Sequence, residues 1–456
     1  MNKGESSRMG TEKVPRLMLQ LAAPSVLAQL INILYNIVDR MYIGHIPNVG
    51  AMALTGLGIS APLVLIIAAF SLFVGGGGAP LAAIALGRND KAEAEKILSN
   101  GATLLTLMAI ILTVVFLIIK EPLLYLFGAS EITFPYANEY SSIYIMGTLF
   151  VQYALGLNLF ITSQGKTRRA MLAVLIGALS NIVLDPIFIF GFGMGVSGAA
   201  IATVISQALS ALYVVRFLTS DRSTIRIRKK YLKPDWALIK RIISLGVSPF
   251  VMQATESAIV VVFNNGLLKF GGDLYVGSMA IMQSVMQLLT VPVSGFTQGV
   301  QPIISYNFGA EKYDRVRETV RYALIITVAT TASYFLLVLL GPGIFAKVFT
   351  SDKELLNLVS GLLPIYMGGM WLFGVQMSAQ MYFVGTGQAK KSLFIALLRK
   401  VIILIPLALF LPRFFGVMGI YYAEPIADMT SATTAGFLLY FTIKNLPKDI
   451  SNKSIS

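Results

Sequence analysis

The chain has no cysteine and a single histidine, His45, in 456 residues. That excludes disulfides, thiolate nucleophiles and Cys-ligated metals. One imidazole makes neither a metal cluster nor a catalytic triad. Charge is scarce as well. Charged residues make up 13% of the chain, against roughly 25% in a soluble domain. The run Gly75, Gly76, Gly77, Gly78 is followed by no Gly-Lys-Ser and preceded by no strand signal, so it is not a phosphate loop. Glycine there suits close helix packing or bending. Neither an enzyme nor a cofactor is expected.

What the chain has in quantity is apolar sequence. It is 56% hydrophobic, with a mean hydropathy of +0.74. About twelve apolar runs start near Leu17, Leu54, Ala92, Phe134, Met171, Val196, Ile242, Val276, Tyr322, Leu356, Ser392 and Val417. Each is long enough for a hydrocarbon core of about 30 Å. The connections are mostly short and leave no room for a soluble domain. An open sheet cannot satisfy its backbone in lipid, so the spans must be helices. The expected fold is all-α integral membrane, with about 12 transmembrane helices.

The net charge of +14 raises the question of nucleic acid, but the distribution answers it. With the N-terminus inside and the spans alternating, 28 of the 36 Lys and Arg fall on the inner side. This is the positive-inside pattern, with both termini cytoplasmic, and no nucleic-acid partner is expected. A charged N-terminal tail leads straight into the first span, which carries Pro24, so that span reads as an anchor rather than a cleaved signal.

The sequence repeats at an offset of about 222–227 residues. Pro24 matches Pro249, and Ala79-Pro80 with Leu86-Gly87 matches Gln301-Pro302 with Phe308-Gly309. Gly165 to Arg169 matches Gly387 to Lys391. Six spans per half is an even number, so the halves are parallel repeats with a central cleft between them. The expected organisation is a six-helix bundle over 1–217, a basic cytoplasmic linker over 218–240, a second bundle over 241–443 and a cytoplasmic tail over 444–456. Arg226, Arg228, Lys229 and Lys230 in the linker suit anionic headgroups or a plain solvated charge run equally.

Polar residues at membrane depth are the candidates for function. Gln29, Asn32, Asn36 and Asp39 form one stripe of span one. Asn181 and Asp185 lie one turn apart in span five, and Thr203 is in the outer half of span six. Depth counted at about 1.5 Å per residue brings Asp39, Asn36, Asn181, Asp185 and Thr203 to one level. Two carboxylates, amide oxygens and a hydroxyl suit Na⁺ or a shared proton. The second half is built differently. Asp39 aligns with Asn264, while Gln253 and Glu256 sit in span seven, Glu424 and Asp428 in span twelve, and Arg399 and Lys400 within span eleven. A buried salt bridge among Glu256, Asp428 and Arg399 and a wall for a cationic substrate are both open readings.

Taken together, the Pro24 and Gln29 entry, Asp39 followed by Gly44, Ala79-Pro80 with Leu86-Gly87, and Asn181-Ile182-Val183-Leu184-Asp185-Pro186 resemble the multidrug and toxic compound extrusion (MATE) antiporters. The resemblance spans nearly the whole chain and points to bacterial members of the multidrug-resistance type from Gram-positive organisms. It implies a secondary active efflux transporter of the bacterial plasma membrane. Such a transporter exchanges amphipathic or cationic drugs for H⁺ or Na⁺, with membrane lipid around it and no obligate protein partner. It maps the family's cation site onto Asp39, Asn181, Asp185 and Thr203, where Na⁺ is the only metal in question, and one acid of some relatives onto Glu256. The acid that those relatives carry in helix ten is missing here; Gln376 and Gln380 stand in that span. By the same resemblance, spans one, two, seven and eight face the cleft, and Tyr35, Gln253, Met282 and Met286 are candidate wall residues. A flippase for a lipid-linked saccharide, a distant relative in fold, is the alternative. Its cavity should be strongly basic.

Overall fold

The computed structural model describes residues 8–447 and 449. Most of the charged tail read over 444–456 lies outside them. Among the described residues every regular element is helical. Twelve long helices follow one another. α1 is Val14–Gly44, α2 Gly50–Gly87, α3 Lys91–Leu126, α5 Thr167–Gly191 and α6 Gly195–Thr219. α7 is Trp236–Phe270, α8 Leu274–Gly309, α9 Tyr313–Leu340 and α11 Ala389–Phe415. The fourth helix of each set is broken. α4 joins Phe134–Met146 to Thr148–Thr162 at 62°, and α10 joins Lys353–Tyr366 to Met370–Gly385 at 48°. α12 is Met418–Lys444, 27 residues, long enough to cross but less apolar because it carries Glu424 and Asp428. Large apolar side chains such as Ile118, Leu126, Leu212, Leu340 and Phe437 point outward, as a surface solvated by lipid tails requires.

The N-terminal segment and the linker lie at one end of the bundle, called here the basic face; the other end is the distal face. The chain between α6 and α7 is strapped to the first six helices. The side-chain oxygen of Gln164 accepts from the Ser223 hydroxyl and the Thr224 and Ile225 amides at 3.0, 2.8 and 3.3 Å. Asn100 donates to the Tyr231 carbonyl at 3.1 Å and accepts from the Asp235 amide at 2.8 Å. Arg228 pairs with Glu95 at 3.0 Å, Lys96 with Asp235 at 2.7 Å, and Arg226 with Asp221. Two of the four linker cations singled out from sequence are thus paired within the protein. Asp235 then caps α7, accepting from the Ala237 and Leu238 amides, which supplies orphan donors of the first turn.

The two sets of helices meet where glycine lets backbones touch. A methyl group on Gly246 of α7 would stand 1.7 Å from the Phe73 carbonyl oxygen of α2. One on Gly77 would stand 2.1 Å from the Ile242 carbonyl oxygen. Gly87 and Gly309 make the equivalent approach between α2 and α8, at 2.0 Å from Tyr306 O and 2.1 Å from Ile84 O. Neighbouring glycines serve other partners: Gly75 abuts Gly156 in α4, Gly76 abuts Pro249, and Gly78 abuts Phe160. The four-glycine run is therefore a packing device on every side. Nearer the centre, Phe250 of α7 packs on Phe70 and Phe73 of α2 at 4.9 and 5.2 Å. Gln29 of α1 donates to Gln298 of α8 at 3.1 Å.

Candidate functional site

Three helices of the first set build a buried polar site. Asp39 comes from α1, Asn181 and Asp185 from α5, and Thr203 from α6; all four are buried. Asn181 and Asp185 share a face because they are one turn apart. Pro186 follows without an amide hydrogen, and the helix continues as a wider π turn over Ile187–Gly191, a distortion common at functional sites. Asn181 Nδ2 donates to Asp185 Oδ1 at 3.0 Å and to Thr203 Oγ1 at 3.4 Å. The carboxyl groups of Asp39 and Asp185 face each other. Three oxygens are left over: Asp39 Oδ1, Asp185 Oδ2 and Asn181 Oδ1 are buried and without a hydrogen-bond partner. Unmatched buried acceptors cost free energy. A proton between the two facing carboxyl groups, or a small hard cation, would satisfy such acceptors.

The structure brings Asp39, Asn181, Asp185 and Thr203 together but not Asn36. Asn36 is exposed and donates back to the Asn32 carbonyl at 2.7 Å. Three residues along an α-helix turn a side chain about 60° from its neighbour, enough to carry Asn36 off a narrow site. Tyr35, expected on the cleft wall, instead neighbours Asp39 and Asp185. Tyr140 of α4, next to Thr203 and Asp39 and buried, went unnoticed in the sequence. It lies in the half of a broken span, where an aromatic among apolar residues gives no periodic signal.

The second set carries charge of both signs. Arg399 Nε donates to Asp428 Oδ1 at 2.6 Å and Nη2 to Glu424 Oε1 at 2.8 Å. Lys400 donates to Glu256 Oε1 and, at 2.6 Å, to the Met252 carbonyl. The bridge read from sequence among Glu256, Asp428 and Arg399 is thus two separate pairings. Both cations lie in the π-helical stretch Leu398–Leu404, and they point to different neighbours, Arg399 to α12 and Lys400 to α7. Among the described residues no three His, Cys, Asp or Glu gather as metal ligands.

A cleft of about 810 Å³ lies between the two sets of helices. Its walls run from Ala83 and Ser305 on the basic-face side to Gly58, Phe127 and Asn264 on the distal side. Gln253, Glu256 and Met286 line it. Met282 does not; it is fully buried among the apolar residues of the second set. α8 presents Met286 to the cleft and, four residues earlier, Met282 to the bundle interior. Asp428 stands behind the wall, held by Arg399, while Glu424, Arg399 and Lys400 reach it.

Comparison with known proteins agrees with this architecture. The MatE family model matches twice, over residues 24–187 and 249–410. The Multidrug export protein MepA of Staphylococcus haemolyticus (strain JCSC1435) is 25% identical over 434 residues, covering 95% of each chain. The protein of the same name from Staphylococcus aureus (strain MSSA476) is 24% identical over 446 residues, covering 96% of this chain and 97% of the relative. Among solved structures, a MATE protein in the bent conformation superposes with a TM-score of 0.91 at 22% identity, covering 98% of this chain and 99% of that one. A Pyrococcus furiosus transporter of the MOP superfamily, described as having a binding pocket of reverse polarity, gives 0.90 at 22% identity over the same shares. With two family matches that together cover well over half of the sequence, set on a twelve-helix membrane fold, the chain belongs to the MatE family.

Proposed function

We propose that the protein is a secondary active multidrug efflux transporter of the bacterial plasma membrane, exchanging amphipathic or cationic drugs for H⁺ or Na⁺. The observation that carries this reading is the trio of unpartnered oxygens on Asp39, Asp185 and Asn181. Family membership and relatives named as multidrug export proteins support it. The basic face is the cytoplasmic one, by the excess of Lys and Arg there. The contacts at Gly77, Gly246, Gly87 and Gly309 then close the cytoplasmic side, and the cleft extends toward the outside. A cation from outside binds Asp39 and Asp185 and removes the cost of packing two carboxylates together. Closing of α1, α5 and α6 follows, and the cation is carried inward as the cleft is re-exposed to the cytoplasm. A ligand drives such an exchange only by its differential affinity for the two states; a tenfold preference is about 1.4 kcal/mol. The flippase reading is disfavoured by the wall itself. The Glu256 side chain is 51% exposed while that of Lys400 is 4% exposed, so the accessible charge is negative, wrong for pyrophosphate. The test is drug flux in proteoliposomes with Na⁺ and pH gradients imposed separately. Flux should follow one gradient and stop when it is dissipated; flux indifferent to both would refute the exchange.

A further inference from the structure

One residue joins the two sets of helices at the basic face. Met9, just ahead of α1, has its side chain in a core that includes Leu98, Leu105 and Phe160 of the first set; it is 1% exposed. Its sulfur lies 3.4 Å from the place a Cβ on Gly165 would take. Its backbone is held by the second set. Asn307 of α8 donates to the Met9 carbonyl at 2.9 Å. Arg315 of α9 donates to the same carbonyl at 3.1 Å and to that of Glu12 at 2.7 Å. Lys312, just before α9, donates to the Gly10 carbonyl at 2.8 Å. Arg315 also donates to Asn307 Oδ1 at 3.1 Å, which ties two of the donors together. α1 itself crosses over. Val14, Leu17, Met18 and Leu21 share a core with Ile303, Val316 and Tyr382 of the second set. Ile43, at the other end of α1, shares one with Leu63 and Val196 of the first. The helix that carries Asp39 into the buried polar site is thus anchored at its basic-face end to the opposite body.

We propose that residues 9–12 are a latch on the basic face, with Met9 as its tongue in the first set and Asn307, Lys312 and Arg315 of the second set as its catch. Parting the basic face requires either the Met9 side chain to leave its core or the bonds to three carbonyls, most of them charge-assisted, to break. Both are made while the face is closed, so the latch weights the equilibrium toward that state. None of the three catch residues lines the cleft; they are positioning residues that act through the N-terminal segment. The inference rests on the proposed exchange and names what holds the cytoplasmic side shut between turnovers.

The test is the distance between spin labels in proteoliposomes. Ala92→Cys with Lys390→Cys, exposed in α3 and α11, reports the basic face; Ala51→Cys with Lys353→Cys, exposed in α2 and α10, reports the distal face. In these labelled chains Met9→Ser should raise the ratio of parted to closed basic face about tenfold, with a matching shortening at the distal face. Arg315→Gln should act in the same direction without touching the core, and it keeps the proposal exposed if Met9→Ser does not fold. Leu98→Ala, in the same core as Met9, should lower the melting temperature and leave both distances as they were. An unchanged basic-face distance in either folded latch variant, or an equal parting in Leu98→Ala, overturns the latch and leaves the efflux reading standing. Labelled chains without these substitutions whose two distances ignore imposed changes of Na⁺ and pH overturn the exchange itself, and the latch with it.

Discussion

The two halves repeat one fold and handle buried carboxylates in opposite ways. In the first, Asp39 and Asp185 face each other with amides and hydroxyls around them and leave oxygens unpartnered. In the second, Glu256, Glu424 and Asp428 are met by Lys400 and Arg399. A site without its own base has to take a cation from outside, and can release it. A site that carries its own base is held together by it. On the proposed function, exchange belongs to the first half, and of the second-half acids Glu256 is the one that turns half of its side chain to the cleft.

The sharpest way to break the comparison is to remove charge from the first half. Asp185→Asn or Asp39→Asn is expected to reduce gradient-driven flux to that of empty vesicles, with the protein still monodisperse. Wild-type flux in both would end the assignment of exchange to this site. The next largest effect is on stability in the second half. Arg399→Gln leaves two buried carboxylates without their cation and should cost about 3–5 kcal/mol, read as a lower melting temperature. Adding Glu424→Gln and Asp428→Asn should recover most of it, and failure to recover would show that Arg399 does more than neutralise. Smaller again, Gly246→Ala forces apart the close approach to Phe73, at about 1–3 kcal/mol. Since the chain has no cysteine, paired spin labels on introduced cysteines can report whether the basic face has parted. The smallest effect is expected at Thr203→Val, which removes one weak acceptor for Asn181, about 0.5–1.5 kcal/mol. Coupling should persist there with reduced cation affinity, and complete loss would make Thr203 an essential ligand.

The first-half site was legible because helical spacing and alternating topology fix depth, and depth brought Asp39, Asn181, Asp185 and Thr203 to one level. Angle was less legible than depth, which is why Asn36 was grouped with residues it does not meet. In the second half the residues were legible but their pairing was not. Arg399 and Lys400 are neighbours in the chain, and which acid each one meets is decided by where α7 and α12 pack around them. Met282 and Met286 illustrate the same gap: both are apolar at helical spacing, and only packing decides which one meets the cleft. Tyr140 was invisible because its helix breaks near Gly147 and offers no long periodic stretch.

α7 begins on the first six helices, tied by Asp235, Asn100 and the Lys96 bridge, and ends within the second set, where Phe263 and Leu267 are buried. On the proposed exchange it is a beam clamped at both ends to bodies that move apart. Rigid separation would tear the strap from Asn100 and Gln164. The cheaper deformation is flexure of the beam itself, and its weak section is Pro249, where a backbone hydrogen bond is already missing. On that exchange, stiffness at Pro249 would set how far the basic face swings.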